Sequence, residues 1–355
     1  MQEIVKYKLY CKGQEFDMVA NALISKHPCL KEKGSLTGCA GWKASLANKL
    51  ATYRTHLRKL GCTEVTVNSL KNKPEGKSTP AAAIMKPWRS EVKYCPPYPI
   101  GESETSLEKL REELLSDVKR KNNREVVKMK MEKTFAYRRQ EVVSKSPMVD
   151  IFRARWPAFF DESEINAEFK RITTMPLQSR FLSQLDLHTF RLLKLFEKRG
   201  GVVGKRLVTI REAIDQSDDT EFGRESVIRG LCIYLNEDPE RLVKEYVTAD
   251  EDIIQEGFED ITVGIFTVKP SNSGEVEDIG IVLEGHAVLR DLPSVPFATA
   301  MLFGLIYNLN LDYPAELSYT FEVVQKIIME LEGSTLSKKA QAVKLKLSVR
   351  GFFFS

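Results

Sequence analysis

With 355 residues the chain has length for two or three domains, and 43% hydrophobic with 29% charged residues is the composition of a folded protein holding at least one sizeable core. The net charge of +4 is unevenly spread: residues 1–100 hold 17 Lys or Arg against 7 Asp or Glu (+10), residues 101–150 hold 12 against 10 (+2), and residues 151–355 hold 24 against 32 (−8). The longest apolar run, "VPFATAMLFGLIY" at 295–307, falls short of the about 20 residues a bilayer requires, which excludes a spanning helix there and argues for a buried one.

A basic front and an acidic back point to a polyanionic partner for the front, or to contact between the halves. A lysine-rich solvated surface accounts for the front equally well. The cysteines, at 11, 29, 39, 62, 95 and 232, form no C-x-x-C pair. The first residues lack the charged, apolar and small-residue segments of a signal peptide, and there is no N-x-S/T sequon. Free thiols in a reducing compartment, cytoplasm or nucleus, are the expectation.

In chain order, residues 15–27 place Phe16, Val19, Ala20, Leu23 and Ile24 at helical spacing, and Pro28 stops that helix. Trp42, Leu46, Leu50, Tyr53, Leu57 and Leu60 then recur at intervals of 4, 4, 3, 4 and 3, a narrow apolar stripe on a helix that Gly61 ends. "EVTV" at 64–67 reads as a short strand or extended segment. Residues 1–70 thus form a basic helical N-terminal region. Residues 71–104, with six prolines and little periodicity, read as a linker, and Trp88, Tyr94 and Tyr98 suit it to lie along a neighbouring domain or a partner.

Residues 105–146 form a charged helical segment. Thr105 and Glu108 match a capping box. Leu107, Leu110, Leu114 and Val118 make one stripe, and Val127, Met131, Phe135 and Val142 a second. Two helices, or one long helix whose buried face shifts, fit this pattern; the heptads are too broken to specify a coiled coil. "KRKNNR" between the stripes has the composition of a nuclear localisation signal, with solvated helix surface as the simpler reading.

Residues 147–355 read as an α+β C-terminal domain. Asp161 is placed to cap a helix over 162–173, and Pro176 opens another running to about Arg199, with Phe181, Leu185, His188, Leu192 and Leu195 on one face. Helices near 205–216 and 221–231 follow, then strands at 231–235 ("LCIYL"), 261–268 and 278–285. The "EGH" connection predicts a hairpin into "HAVLRDL". The chain returns to helix at 295–309 and again from Pro314, where Leu317, Phe321, Val324, Ile328 and Leu331 repeat at 4, 3, 4 and 3. The fold class is α+β, mostly helical, with a small antiparallel β element.

Catalytic chemistry is hard to find. The histidines, at 27, 56, 188 and 286, have no metal-ligand spacing, and His188 on an apolar stripe reads as a hydrogen-bonded core residue. There is no G-x-S-x-G elbow and no G-x-G-x-x-G fingerprint. "RGGVVGKRLVT" at 199–209 fails as a phosphate loop, because Arg199 and Arg206 stand where the first glycine and the magnesium-binding hydroxyl belong; a flexible basic turn between helices is expected there. The clusters Asp161, Glu162, Glu164 and Asp215, Asp218, Asp219, Glu221 fall at helix ends, where carboxylates favour the local dipole. No metal and no cofactor is called for. The one candidate site is a polyanion contact through Lys43, Lys49, Arg54, Arg58 and Lys59. On a helical projection these flank both sides of the Trp42–Leu60 stripe rather than gathering on one reading face, which suits a rim of snorkelling side chains better than insertion into a groove.

The run "WKASLANKLATYRTHLRKLGCTEVTVNSLKNK", then "KPWRSEVKYCPPYPIGESETSLEKLREEL", "TFAYRRQEVV", "RWPAFFDESEINAEFKRIT" and "LFGLIYNLNLDYPAELSYTFEVVQKIIMELE", resembles the sterile alpha motif domain-containing protein 3-like group of vertebrates, expanded in fishes. The likeness runs from about Phe16 to Val349. It implies no established enzymatic activity. The five-helix sterile alpha motif that names the group has no counterpart in this front, which is too short and interrupted by the proline-rich stretch. The ending "RGFFFS" departs from the group's polar close. The expectation is an intracellular, non-enzymatic protein-interaction protein of scaffold or adaptor type with an unknown protein partner and no membrane. The alternative is a nuclear nucleic-acid-binding protein of mobile-element origin using residues 1–75. The two separate on whether duplex DNA binds with steep salt dependence.

Overall fold

The computed structural model describes residues 13–32, 37–59, 84–85, 94–247, 250–269, 276–331 and 336–348; at 13–14, 48, 51–59, 84–85 and 348 it describes the backbone alone. The chain divides into two compact units, Met1–Lys77 and Ser78–Ser355. The segment "EVTV" at 64–67 lies outside the described residues, as do Trp88 and most of the proline-rich stretch.

In the first unit, helix α1 (Gly13–Lys26) packs on helix α2 (Ala40–Lys59), joined through a 3-10 turn at Pro28–Leu30. Ala20, Cys39 and Leu50 are buried, and the Trp42 indole donates from Nε1 to the Leu30 carbonyl at 2.8 Å. The free amides at the start of α2 are met from outside the helix. The Glu32 carboxylate accepts from Gly41 N (2.9 Å) and Trp42 N (3.0 Å), placing a negative charge at the positive end of the helix dipole.

Among the described residues the second unit opens with a two-residue strand β1 (Ile84–Met85), and residues 94–103 lead into α3 (Glu104–Asp117). The capping box lies two residues before its expected place. The Ser103 hydroxyl accepts from Ser106 N at 3.2 Å, and the Ser106 hydroxyl accepts from Ser103 N at 2.9 Å while donating its own proton to Glu102. The charged segment then makes two more helices, α4 (Arg124–Lys133) and α5 (Phe135–Lys145), rather than one long helix. Short α6 (Val149–Arg155), α7 (Glu162–Thr173) and α8 (Leu177–Glu197) follow. Asp161 caps α7 as its sequence position predicts, accepting from Ser163 N at 2.9 Å.

Helix α9 (Gly201–Asp215) starts within "RGGVVGKRLVT", so the basic turn expected there is confined to the residues before Gly201, which takes φ 72°. Helix α10 (Thr220–Tyr234) runs through "LCIYL", where a strand was expected. Residues 230–234 are buried on every side, so apolar periodicity does not separate the two forms there; length does, since the segment continues a helix begun at Thr220.

The sheet has the order β2 (Val243–Tyr246), β3 (Val263–Val268), β4 (Asp278–Leu283), β5 (His286–Leu289). It is mixed rather than wholly antiparallel: β2 runs parallel to β3 through the crossover helix α11 (Glu251–Phe258), and both were missed in the sequence. The predicted hairpin is β4–β5. Its turn residues Glu284 and Gly285 both have positive φ, 50° and 82°, the requirement of a two-residue turn matched to strand twist. Alternation sorts the faces. Val263, Ile265, Ile281 and Leu283 join the main core, while Phe266, Val268 and Val282 pack with Tyr246, Ile254 and Phe258 beneath α11. Gly280 stands opposite Phe266, where a Cβ would strike the ring.

Helix α12 (Val295–Asn308) is the axis of this unit, buried along its whole length between α7, α8 and α10 on one side and β3 and β4 on the other. A Cβ at Gly304 would run into Leu177 Cδ2, so glycine sets how closely α12 and α8 approach. Strand β6 (Tyr313–Pro314) pairs antiparallel with β1. The helix expected from Pro314 forms as a 3-10 turn, then α13 (Ser318–Val323), then a π-helical turn at Val324–Ile328 in which Met329 N reaches back to Val324 O at 2.8 Å. Helix α14 (Lys338–Ser348) closes the described chain against α8 and α13.

Candidate interaction surface

Of the candidate polyanion contacts in the first unit, Lys43 is committed to a neighbour: its Nζ lies 2.7 Å from Asp17 of α1. Lys49 is exposed. The side chains of Arg54, Arg58 and Lys59 lie outside the described residues, although their backbone is helical.

The charged residues of α3 to α7 make a closed network that nothing local in the sequence signals. Arg138 and Glu168 are 0% and 1% exposed and form a two-pronged pair at 2.9 and 2.7 Å. Arg138 also donates to Met131 O and Thr134 Oγ1, and its guanidinium lies 5.1 Å from the Trp156 ring. Burial disfavours the charge on Glu168, but Arg138 outweighs it and holds the carboxyl below its ordinary range. Arg171 adds a second contact to Glu168 at 2.9 Å and reaches Glu164 at 3.5 Å. Nearby, Glu108 accepts from Tyr137 Oη, Arg111 and Arg155, and Glu141 accepts from Arg155 and the Trp156 indole. Burial, then Glu108, pushes the Tyr137 phenol up to about 12. Arg139, also fully buried, donates at 2.7 Å to the carbonyl of Asn308, the last residue of α12, and so puts a cation on the negative end of that helix.

The acidic clusters resolve into structural roles. Asp161 and Asp219 are N-caps, Glu164 belongs to the network, and Glu221 pairs with Arg224 and accepts from Ser294 Oγ. Beside the ends of β2 and β3 lies a cleft of about 380 Å³ lined by Asp238, Glu240, Asp260, Glu316, Arg241 and Lys244. Its four carboxylates are exposed, and Asp238 is occupied in capping the turn at Pro239–Arg241. The Cys232 thiol is buried, and burial pushes it up to about 12, well away from a nucleophile's range. Cys29, Cys39, Cys95 and Cys232 are free thiols. Among the described residues no three metal-ligating side chains converge, and no helix is long and apolar enough to cross a membrane.

The outer side of α8 differs from all of these. Phe181, Leu185, Leu192, Leu195 and Phe196 turn inward, while Leu187 and Phe190 project from the opposite side at 65% and 66% exposure. Lys194 lies over the Phe190 ring at 4.5 Å, and Arg191 and Lys198 are exposed alongside. An apolar ridge of i, i+3 spacing edged by cations is suited to an apolar helix or groove with an acidic margin. The inward stripe of this helix stands out in the sequence, and the outward pair has its own i, i+3 spacing in "DLHTFRLLK".

His188 departs from its expected role. It is half-buried rather than in the core, and its Nδ1 is buried with no hydrogen-bond partner.

Residues 107–161 match the family model described as sterile alpha motif domain-containing protein 3, helical domain. No curated protein and no solved structure matches the chain. The matched stretch spans α3 to α6, and its side chains end outside it: Arg138 on Glu168, Arg139 on Asn308, and Arg153 on the Ala287 carbonyl at 2.7 Å, while Glu284 accepts from Val149 N at 3.0 Å.

Proposed function

We propose that this chain, of the sterile alpha motif domain-containing protein 3-like family, works as a non-enzymatic, intracellular protein-interaction protein of scaffold or adaptor type. The match to a helical domain fits an interaction role in general. The observation that carries the reading is the outward ridge of α8, two large apolar side chains exposed on a well-packed helix and edged by Lys194 and Arg191. Leu187 and Phe190 add nothing to the core, so their exposure is repaid only when a partner covers them. The charged rim favours a partner whose own apolar face is bordered by carboxylates.

A photo-crosslinking residue at position 187 of the full chain tests this in cells. A discrete crosslinked species, lost when Phe190→Asp is added, is the expected result. A folded protein that gives no discrete product at that position overturns it. The alternative, a nucleic-acid-binding front, loses one of its cations to the Lys43–Asp17 pair. It requires duplex DNA to bind the full chain with an affinity that falls steeply as salt rises; no binding at low salt removes it.

A further inference from the structure

A second feature of α8 lies on the flank of the ridge and shares Arg191 with it. His188, Arg191, Lys326, Ile327, Glu330 and Lys344 line a cleft of about 270 Å³ between α8, the π-helical turn and α14. That is smaller than the roughly 300–1,000 Å³ of ordinary ligand pockets, room for a compact group rather than a large organic molecule. The charges are unbalanced. Glu330 is neutralised by Arg180, and Lys326 pairs with Glu322 at 3.2 Å. Arg191 donates to the Leu347 carbonyl at 3.0 Å, and neither it nor Lys344 has a carboxylate partner among the described residues. His188 supplies a third donor. His188 lines the cleft, and with Nδ1 buried and partnerless the cheaper neutral tautomer leaves the lone pair there and puts the proton on Nε2. The wall opposite is a π-helical turn, a rare irregularity frequent at functional sites.

We propose that this cleft binds a phosphate dianion, either free phosphate or the phosphate group of a small monoester, through His188 Nε2, Arg191 and Lys344. A compact dianion fits the space, offers several acceptors to three convergent donors and compensates two cations that otherwise lack a counter-charge. The groups facing His188 are Arg191 from its own helix, Lys326 and Glu330 from the π-helical turn and the residues just after it, and Lys344 from α14. Burial first, and Arg191 second, depress its pKa in the empty cleft; Glu330 acts weakly the other way. A bound dianion reverses the balance and raises it.

The full chain is titrated at pH 7.5 with inorganic phosphate and separately with glycerol phosphate, with chloride at matched ionic strength as control, while the imidazole resonances are followed by NMR. The His188 resonances are expected to move saturably, and pH titrations with and without each probe to show its pKa raised by either probe and not by chloride. Similar affinities assign recognition to the phosphate group alone; tighter binding of the ester assigns it to a monoester. Lys344→Ala, an exposed position, should weaken binding roughly tenfold without altering the fold. Arg191→Lys should weaken it by a similar factor while the smaller side chain keeps a donor near Leu347. Absence of a saturable shift with both probes, or a shift that chloride reproduces, overturns the proposal.

Discussion

Two sets of cations in the second unit obey opposite rules. Arg138 and Arg139 are fully buried, and each guanidinium ends on a carboxylate or carbonyl at hydrogen-bond distance. Arg191 and Lys344 lie exposed on the outer helices, and although Arg191 donates to the Leu347 carbonyl, neither has a carboxylate partner among the described residues. The first set fixes where helices sit; the second is available to something else. A buried charge without its partner is costly, whereas an exposed one is nearly free to remain unpaired until a ligand arrives. Charge content, nearly balanced over residues 101–150, gives no sign of the first set.

The contrast can be broken most severely at Glu168. Glu168→Ala strands Arg138 in the core, and chemical denaturation should show a loss of about 3–5 kcal/mol. Replacing both partners, Arg138→Met with Glu168→Leu, should restore most of that loss; if it does not, the pair does more than occupy space. Next comes Gly304→Ala, which forces α12 away from Leu177 and should cost about 1–3 kcal/mol by the same measurement. Phe190→Asp should leave stability within about 0.5 kcal/mol while abolishing crosslinking from position 187, as befits a surface made for a partner.

The smallest effect is a pH step. His188 has a folded pKa below its ordinary 6.5, so the unfolded chain takes up a proton first. Stability should therefore decline as pH falls below 6.5 and level off once the folded value is passed. Glu108, Asp117 and Glu168, all held below the ordinary carboxylate range, lose their contribution only at more acid pH. Denaturation midpoints at pH 7.5, 6.0 and 5.0 should show the early step in the parent protein and not in His188→Gln.

Local pattern carried the helices well wherever one face met solvent: the stripes of α2, α3, α7 and α8 are all visible as spacing. The β4–β5 hairpin was legible because a turn demanding positive φ at two residues restricts its sequence. Strand β2, "VKEY", was not, since a parallel edge strand owes its form to β3 some twenty residues later, and two of its four residues are charged. Buried Arg138 and Arg139 sit in "YRRQE", which reads as surface because their acceptors lie 30 and 169 residues away. For the candidate sites, His188 and its helix were in view, but Lys326 and Lys344 become its neighbours only through the packing of the π-helical turn and α14.

The Arg139–Asn308 contact has a kinetic side. At roughly 5–20 residues per second of synthesis, the carbonyl that receives this guanidinium leaves the ribosome about 10–30 s after the arginine does. For that interval helix α5 must keep a cation hydrated that the finished fold dehydrates completely. The last turn of α12 therefore sets the earliest moment at which helix α5 can be closed over Arg139, long after Arg138 has met Glu168.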